Sequence, residues 1–330
     1  MDFSDLIGRL LASDTRAAAR LITYVENDIK AAEEIVNKIY PNTGNAYILG
    51  ITGAPGSGKS TFISTITKIF VEQGKKVGII CVDPTSPLSG GALLGDRIRM
   101  KENFNLENVF IRSMANRGQL GGLARATEDV IKILDAYGCD IIIVETVGVG
   151  QSEVDIFKSA HTVIVLLVPG LGDDIQAIKA GIMEITDIFV VNKMDLAGAD
   201  RKIAEIQQML ELNMNFKYES NQHPKEFSKV RRWTPQILKV NSKTGENFQK
   251  LIQIIGTHQK FLTETGIIKD YLTTRIKSET AQILRHKLTK KVEELIDSSE
   301  DIEKLIEKVI EKELDPYTMA DQIIKLLGIE

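Results

Sequence analysis

Residues 50–61 read "GITGAPGSGKST", in which Gly53 is separated by four residues from Gly58, Lys59 and Ser60. The apolar "AYIL" at 46–49 precedes this stretch and "FISTITKIFVEQG" at 62–74 follows it, so a strand leads into the loop and a helix leads out. In that context the spacing is a phosphate-binding P-loop. Backbone N–H groups of Gly53, Ala54, Gly56, Ser57 and Gly58, with Pro55 shaping the turn, and those opening the helix at Lys59, Ser60 and Thr61, converge on the phosphates of a nucleotide. Side chains at the glycine positions would intrude. Lys59 supplies a cation between the β- and γ-phosphates, and the Ser60 hydroxyl is a hard oxygen ligand for Mg²⁺.

Working outward, short β-branched runs alternate with amphipathic segments: "AYILGITG", "KVGIICVD", "NVFIRSM", "CDIIIVETVG", "TVIVLLVPG", "DIFVVNKMD" and "QILKVNS". Runs without polar alternation are buried on both faces, and intervening helices imply right-handed crossovers. The expected fold class is α/β, a mostly parallel P-loop sheet flanked by helices, with helical extensions at both ends. The boundaries are read as 1–44 for an N-terminal helical extension, 45–262 for the nucleotide domain and 263–330 for a C-terminal helical extension.

In the first extension, Ser13 or Asp14 is placed to cap a second helix, and Pro41 to Asn45 ends the helical prefix. In the last, Asp315 is the expected N-cap and Pro316 the first helical residue of "DPYTMADQII". The "IEKLIEKVIEKEL" spacing suits packing on another helix, either of the parent domain or of a second copy. Residues 213–234, "NMNFKYESNQHPKEFSKVRRWT", are polar and weakly periodic and read as a solvated insertion loop or a partner-contacting one.

A base reader follows the cradle. "DIFVVNKMD" ends in Asn192, Lys193 and Asp195, and the next strand runs into Ser242, Lys243 and Thr244. Guanine presents N1–H and its N2 amino group side by side, so the Asp195 carboxylate can accept both, whereas adenine offers no such pair. A buried carboxylate here would reject the wrong base strongly, since it would otherwise lose its partners. The Lys193 stem covers one base face, the Asn192 amide reaches both purine and P-loop, and N–H groups beside Ser242 meet the guanine O6. Asp195→Asn is expected to exchange preference from GTP towards xanthosine triphosphate.

The metal and switch residues are less regular. "ETVGVGQ" at 145–151 is similar to the D-x-x-G element of many P-loop GTPases, but opens with Glu145, which is one methylene longer. Other acids are therefore expected to share the Mg²⁺ site: Asp83 at the end of its strand, with a cap before Pro84 as the alternative, and Asp96 in a glycine-rich stretch, with a helix cap or loop acid as the alternative. Gly148 would donate its N–H to the γ-phosphate and relax after hydrolysis. Val149 stands where a water-positioning glutamine follows that glycine in Ras-like proteins, so slow intrinsic hydrolysis is expected. Gln151, Asp96 or a group supplied on partner binding would complete the site.

Composition narrows the classes. The chain of 330 residues is 43% hydrophobic and 26% charged, with net charge −4 and no dense basic block, which argues against a nucleic-acid surface. Its most apolar run, "TVIVLLV", is far short of the about 20 residues that cross a bilayer, so no membrane association is expected. Two cysteines, Cys81 and Cys139, lie in separate strand-like runs, as suits a reducing cytoplasm. His161, His223, His258 and His286 are scattered, unlike the clustered ligands of a metal-insertion GTPase.

These blocks resemble one family, the methylmalonyl-CoA mutase-associated G-protein chaperones of MeaB or ArgK type. The resemblance rests on "GAPGSGKST", "VDPTSPLSGGALLGDRIRM", "FIRSMANRGQLGGLARAT", "ETVGVGQSE", "PGLGDDIQAIKAGIMEITD", "NKMDLAGAD" and "DPYTMADQII". It implies a GTPase of the class that includes signal-recognition and nickel-insertion GTPases, using GTP/GDP and Mg²⁺ and forming a homodimer through helical extensions. It further implies gating of adenosylcobalamin loading, and protection or reactivation of a B₁₂-dependent acyl-CoA mutase, with an adenosyltransferase as a further candidate partner. By motif position, Asp83, Asp96 and Glu145 are its metal and switch acids, and Lys179 falls in an additional partner-responsive switch. Lys243 stands where many GTPases have alanine. No cobalamin-binding D-x-H-x-x-G pattern occurs, so the cofactor would belong to the partner. The rival readings are a metal-insertion GTPase and a kinase of a periplasmic transport protein, reflecting an older label for the family.

Overall fold

The computed structural model describes residues 2–83, 106–115, 122–146, 160–170, 185–219 and 233–326. They fall into two compact units, Met1–Arg275 and Ile276–Glu330. The first contains helices α1 (Ser4–Leu11), α2 (Thr15–Asn27), α3 (Ile29–Ile39), α4 (Lys59–Glu72), α5 (Gly122–Ala136), α6 (Ala199–Glu219) and α7 (Phe248–Glu264). Its strands are β1 (Tyr47–Gly53), β2 (Val77–Asp83), β3 (Val109–Ala115), β4 (Ile141–Thr146), β5 (Thr162–Leu167), β6 (Ile188–Val191) and β7 (Gln236–Lys239). Helix α8 (Ile267–Ser298) spans the division, and α9 (Glu300–Ile310) and α10 (Pro316–Leu326) follow.

All seven strands form one sheet in the order β3-β2-β4-β1-β5-β6-β7, and every pairing is parallel. Each expected strand is present, and the sheet is parallel throughout. The two-residue side-chain period sorts the apolar runs onto two faces. Ile48, Ile80, Val82, Ile142 and Val144 pack with α1–α3 and α5, through Leu10, Leu21, Ile22, Ile35, Val130 and Leu134. The intervening Leu49, Ile51, Ile79, Cys81 and Ile143 meet α4 and α7, through Phe62, Ile63, Ile66, Phe248 and Leu251. Parallel strands put their C-terminal ends together, so β1, β2, β4, β5, β6 and β7 all end at one edge of the sheet.

The N-terminal prefix differs from its sequence reading. It forms three helices, because Asp28 adopts an extended backbone between α2 and α3 and caps the latter, accepting from Lys30 N at 2.8 Å. Asp14 caps α2 in the same way (Arg16 N, 2.8 Å), whereas Ser13 is left-handed (φ 63°) and turns its hydroxyl to the Tyr137 carbonyl. The prefix shares its core with α5, and Arg112 of β3 forms an ion pair with Glu26 of α2.

Asp135 of α5 fixes the entry into β1. Its carboxylate accepts from Gly44 N (2.5 Å), Asn45 N (3.1 Å) and Ala46 N (3.0 Å) and is 8% exposed. Asp135→Ala leaves these donors without a partner and is expected to cost about 3 kcal/mol of unfolding free energy, given about 1–3 kcal/mol per orphaned buried group with partial rehydration. Urea titration followed by circular dichroism measures this, and a loss below about 1 kcal/mol would remove Asp135 as the anchor.

At the opposite edge of the sheet from the P-loop lies a buried polar chain. Tyr47 OH and Thr162 Oγ1 are 2.5 Å apart, Thr162 Oγ1 is 2.7 Å from His258 Nδ1, and His258 Nε2 is 3.4 Å from Asp187 Oδ1. The Trp233 ring meets that of His258 at 4.5 Å, tilted by 48°, and donates its indole N–H to the Asp187 carbonyl. Burial, reinforced by neighbouring His161, pushes the His258 imidazole down to about 4 from 6.5. Burial pushes the Asp187 carboxyl up to about 7 from 3.8, against a hydrogen bond from Val163 N. The imidazole's contribution to stability is complete above its unfolded value and lost as pH falls towards 4; the carboxyl's is complete below its unfolded value and lost as pH rises through 7. The two slopes oppose each other. Relative to wild type, Asp187→Asn is expected to lose stability as pH falls from 7 towards 4, and His258→Gln as pH rises over the same window. Unfolding free energies at four pH values read both slopes, and parallel profiles would exclude the linkage.

Two further segments depart from expectation. Asn213–Glu219, read as the start of an insertion loop, continue α6 as helix. The run "IEKLIEKVIEKEL" at 302–314 is helical only in part, since α9 ends at Ile310. Asp315 does cap α10, accepting from Tyr317 N at 2.9 Å and Thr318 N at 3.1 Å.

Candidate nucleotide site

The P-loop is the turn Ala54–Gly58 between β1 and α4. Gly53 pairs with Leu166 of β5, and a Cβ on it would lie 2.3 Å from the Leu166 carbonyl oxygen, so the close strand contact requires glycine. Gly56 (φ 81°) and Gly58 (φ 88°) are left-handed, and Ser57 N closes the turn on Ala54 O at 3.1 Å. Helix α4 then starts with Lys59, leaving its first N–H groups to face the loop. Lys59 is 7% exposed and its Nζ donates to Gly53 O (2.8 Å) and Ala54 O (3.3 Å), across the mouth of the turn. Pro55, Gly56 and Thr61 are exposed, while Ala54 and Ser60 are half-buried.

Asn192 joins this cradle to the loop after β6. Its Nδ2 donates to Ser57 O at 2.8 Å, and its Oδ1 accepts from Ser242 N (3.1 Å) and Ser242 Oγ (2.7 Å). At 1% exposure it leaves no polar atom idle, and the second amide N–H is the one that could reach a purine. Lys193, left-handed at φ 55°, lays its stem across the loop to Gly56 O at 2.9 Å. Thr65 of α4 donates to Ser242 O at 2.7 Å, so cradle, base loop and the turn after β7 are mutually tied.

Asp195 is exposed, contrary to the buried carboxylate expected from sequence. It sits beyond the end of β6, and Lys243 and Thr244 after β7 are exposed as well. Its Oδ1 accepts from Asn241 Nδ2 at 2.9 Å, and Asn241 Oδ1 accepts from Lys243 N (3.0 Å) and Thr244 N (3.4 Å). Sequence reasoning passed over Asn241 and Thr65. The one available signal for Asn241 was its place before "SKTG", the position from which a short amide can cap a turn.

On the metal side, Glu145 is 3% exposed near the end of β4, in register with Ile51 of β1 and Cys81 of β2. The Cys81 thiol donates to its Oε2 at 3.8 Å. Next along the strand, Thr146 Oγ1 donates to Thr52 Oγ1 at 3.3 Å. Asp83 is the last residue of β2, paired with Ala115. Asp96, Gly148, Gln151 and Lys179 lie outside the described residues. Among the described residues, no group of three or more histidine, cysteine, aspartate or glutamate side chains is placed to hold a metal ion, and no helix is long and apolar enough to cross a membrane.

Comparison with known proteins agrees with this arrangement. The family model described as "Methylmalonyl Co-A mutase-associated GTPase MeaB" matches residues 18–297. A Pyrococcus horikoshii protein named "Putative GTPase PH0274" is 51% identical over 325 residues, covering 98% of each chain. "GTPase ArgK" of Escherichia coli is 34% identical over 267 residues, covering 80% of this chain and 78% of its own. Among solved structures, one titled "Crystal structure of LAO/AO transport system kinase" superposes with a TM-score of 0.66 at 24% identity, covering 99% of this chain and 97% of its own, which speaks for the shared fold. A P-loop tied to the loop after β6 by one buried asparagine, in a chain matched by that model over most of its length, makes this protein a GTPase that belongs to the methylmalonyl-CoA mutase-associated MeaB family.

Proposed function

We propose that this GTPase serves a B₁₂-dependent acyl-CoA mutase, methylmalonyl-CoA mutase first among them, gating adenosylcobalamin loading and protecting or reactivating the loaded enzyme. The observation that carries this reading is the family match over residues 18–297, whose description names that mutase. The nucleotide would be read by Asn192, Lys193, Asp195 and the turn Ser242–Thr244, with its phosphates held by Gly53–Thr61. The donors on the sheet edge suit Mg²⁺: the half-buried Ser60 hydroxyl and the buried Glu145 carboxylate are hard oxygens, with Asp83 and Asp96 as further acids. Held by these oxygens, Mg²⁺ would supply positive charge to offset that of the nucleotide's phosphates. Gly148, Gln151 and Lys179 would form the switch that the partner completes.

A homodimer formed through the extension 263–330 is part of the proposal, as is an adenosyltransferase as a second partner and a cytoplasmic site of action. Exposed Leu272, Ile276, Ile283, Leu284 and Leu288 on α8 support the dimer, since such side chains gain most from burial against another helix. The test is GTP hydrolysis with and without the purified mutase from the same source. Stimulation is the expected result. Absence of binding and of any rate change in every nucleotide state would overturn the mutase reading, and phosphate appearing on a protein substrate would replace hydrolysis with a kinase reaction.

A further inference from the structure

We propose that Asn241 is the positioning residue of the base-reading loop, holding Asp195 in the orientation in which both carboxylate oxygens can face a guanine. The proposal rests on the reading of Asp195 as acceptor for guanine N1–H and the N2 amino group.

Asp195 is exposed, and among the described residues Asn241 provides the one side-chain bond to its carboxylate. A free aspartate at a loop end samples several rotamers, and a base would have to order it on binding, at a cost in affinity. Asn241 removes that cost because its own orientation is fixed. Two backbone donors, Lys243 N and Thr244 N, point at one end of its amide, which must therefore be the oxygen. The NH₂ end is left for Asp195 Oδ1, at 2.9 Å. The Asn241 backbone is held as well: its N–H bonds Glu246 O at 3.3 Å and its carbonyl accepts from Gly245 N at 2.9 Å.

Residue type is decisive in this geometry. Aspartate at 241 would keep the acceptor for the Lys243 and Thr244 N–H groups but replace the donor with a second negative charge against Asp195. Alanine would remove both functions. Since Asn241 touches the base reader and not the phosphate cradle, its loss should fall on guanine affinity and spare the chemical step.

The experiment measures steady-state GTP hydrolysis, and GDP, XDP and ADP binding by calorimetry, for wild type, Asn241→Asp, Asn241→Ala, Asp195→Asn and Asp195→Asn/Asn241→Ala. Expected for Asn241→Asp is a rise of about tenfold or more in GTP KM and GDP Kd, the loss of one hydrogen bond to a charged group, with kcat within about twofold. Asn241→Ala should behave alike, and in the Asp195→Asn background it should change Kd by less than about twofold, because the carboxylate it positions is gone. An unchanged KM in Asn241→Asp, an equal fall in kcat, or a full additional loss in the double variant would overturn the proposal. Failure of the underlying base reading shows separately: Asp195→Asn alone would then bind GDP as wild type does, or lose GDP and XDP equally.

Discussion

Lys59→Ala is expected to lower kcat for GTP hydrolysis by about a thousandfold while the chain stays folded. The ammonium is 7% exposed, and its bonds to Gly53 O and Ala54 O keep it at the mouth of the turn where phosphate oxygens would enter. Phosphoryl transfer leaves the protein little covalent work, so a fixed cation beside the β- and γ-phosphates contributes chiefly by stabilising transition-state charge. Removing one such group costs about 10²–10³ in rate. Arginine is a poor replacement, since a planar fork does not fit the space of a compact point charge. Single-turnover phosphate release gives the rate, and a thermal melt gives the fold. A kcat within tenfold of wild type would remove Lys59 from the catalytic role. Multiple turnover by the wild type, lost in the variant, also separates a hydrolysing switch from a module that binds nucleotide and stops there.

The strands were legible because burial on both faces leaves uninterrupted β-branched runs, and nothing else in this composition produces "YILGITG" or "TVIVLL" between helices. Two loops distant in sequence could be joined from sequence alone because parallel strands deliver their C-terminal ends to one edge. Local backbone choices were harder to read. The apolar spacing from Leu21 to Ile35 runs on as if one helix carried it, and Asp28 ends that helix by a cap that competes with the periodicity. Asn213–Glu219 are helical without an apolar stripe, which a period-based reading assigns to a loop. Asp135 looks like an ordinary acid on an amphipathic helix, and its three backbone donors lie some ninety residues upstream. Asn241 and the exposure of Asp195 belong to the same class: both depend on how two turns face each other, which neither motif encodes by itself.

Gly58→Ala tests that facing arrangement directly and is expected to abolish measurable GTP and GDP binding, a loss of at least a hundredfold. Gly58 is left-handed at φ 88°, where a Cβ costs about 1–2 kcal/mol. The added carbon would also stand 2.6 Å from Asn192 Nδ2. A flexible side-chain tip could swing away, but this amide is 1% exposed, donates to Ser57 O, and is held at its other end by Ser242. Displacing it strands buried donors and acceptors at about 1–3 kcal/mol each. It also releases the strut between the phosphate cradle and the base loop, so both halves of the site lose their register together. Asn192→Ala removes the same strut without straining the cradle and should lose less affinity. Calorimetric titration of GDP into both variants, with circular dichroism as the control for fold, ranks them. Binding by Gly58→Ala within tenfold of wild type would mean that cradle and base loop hold their positions independently, and that the buried asparagine is packing between them and not the link that makes them one site.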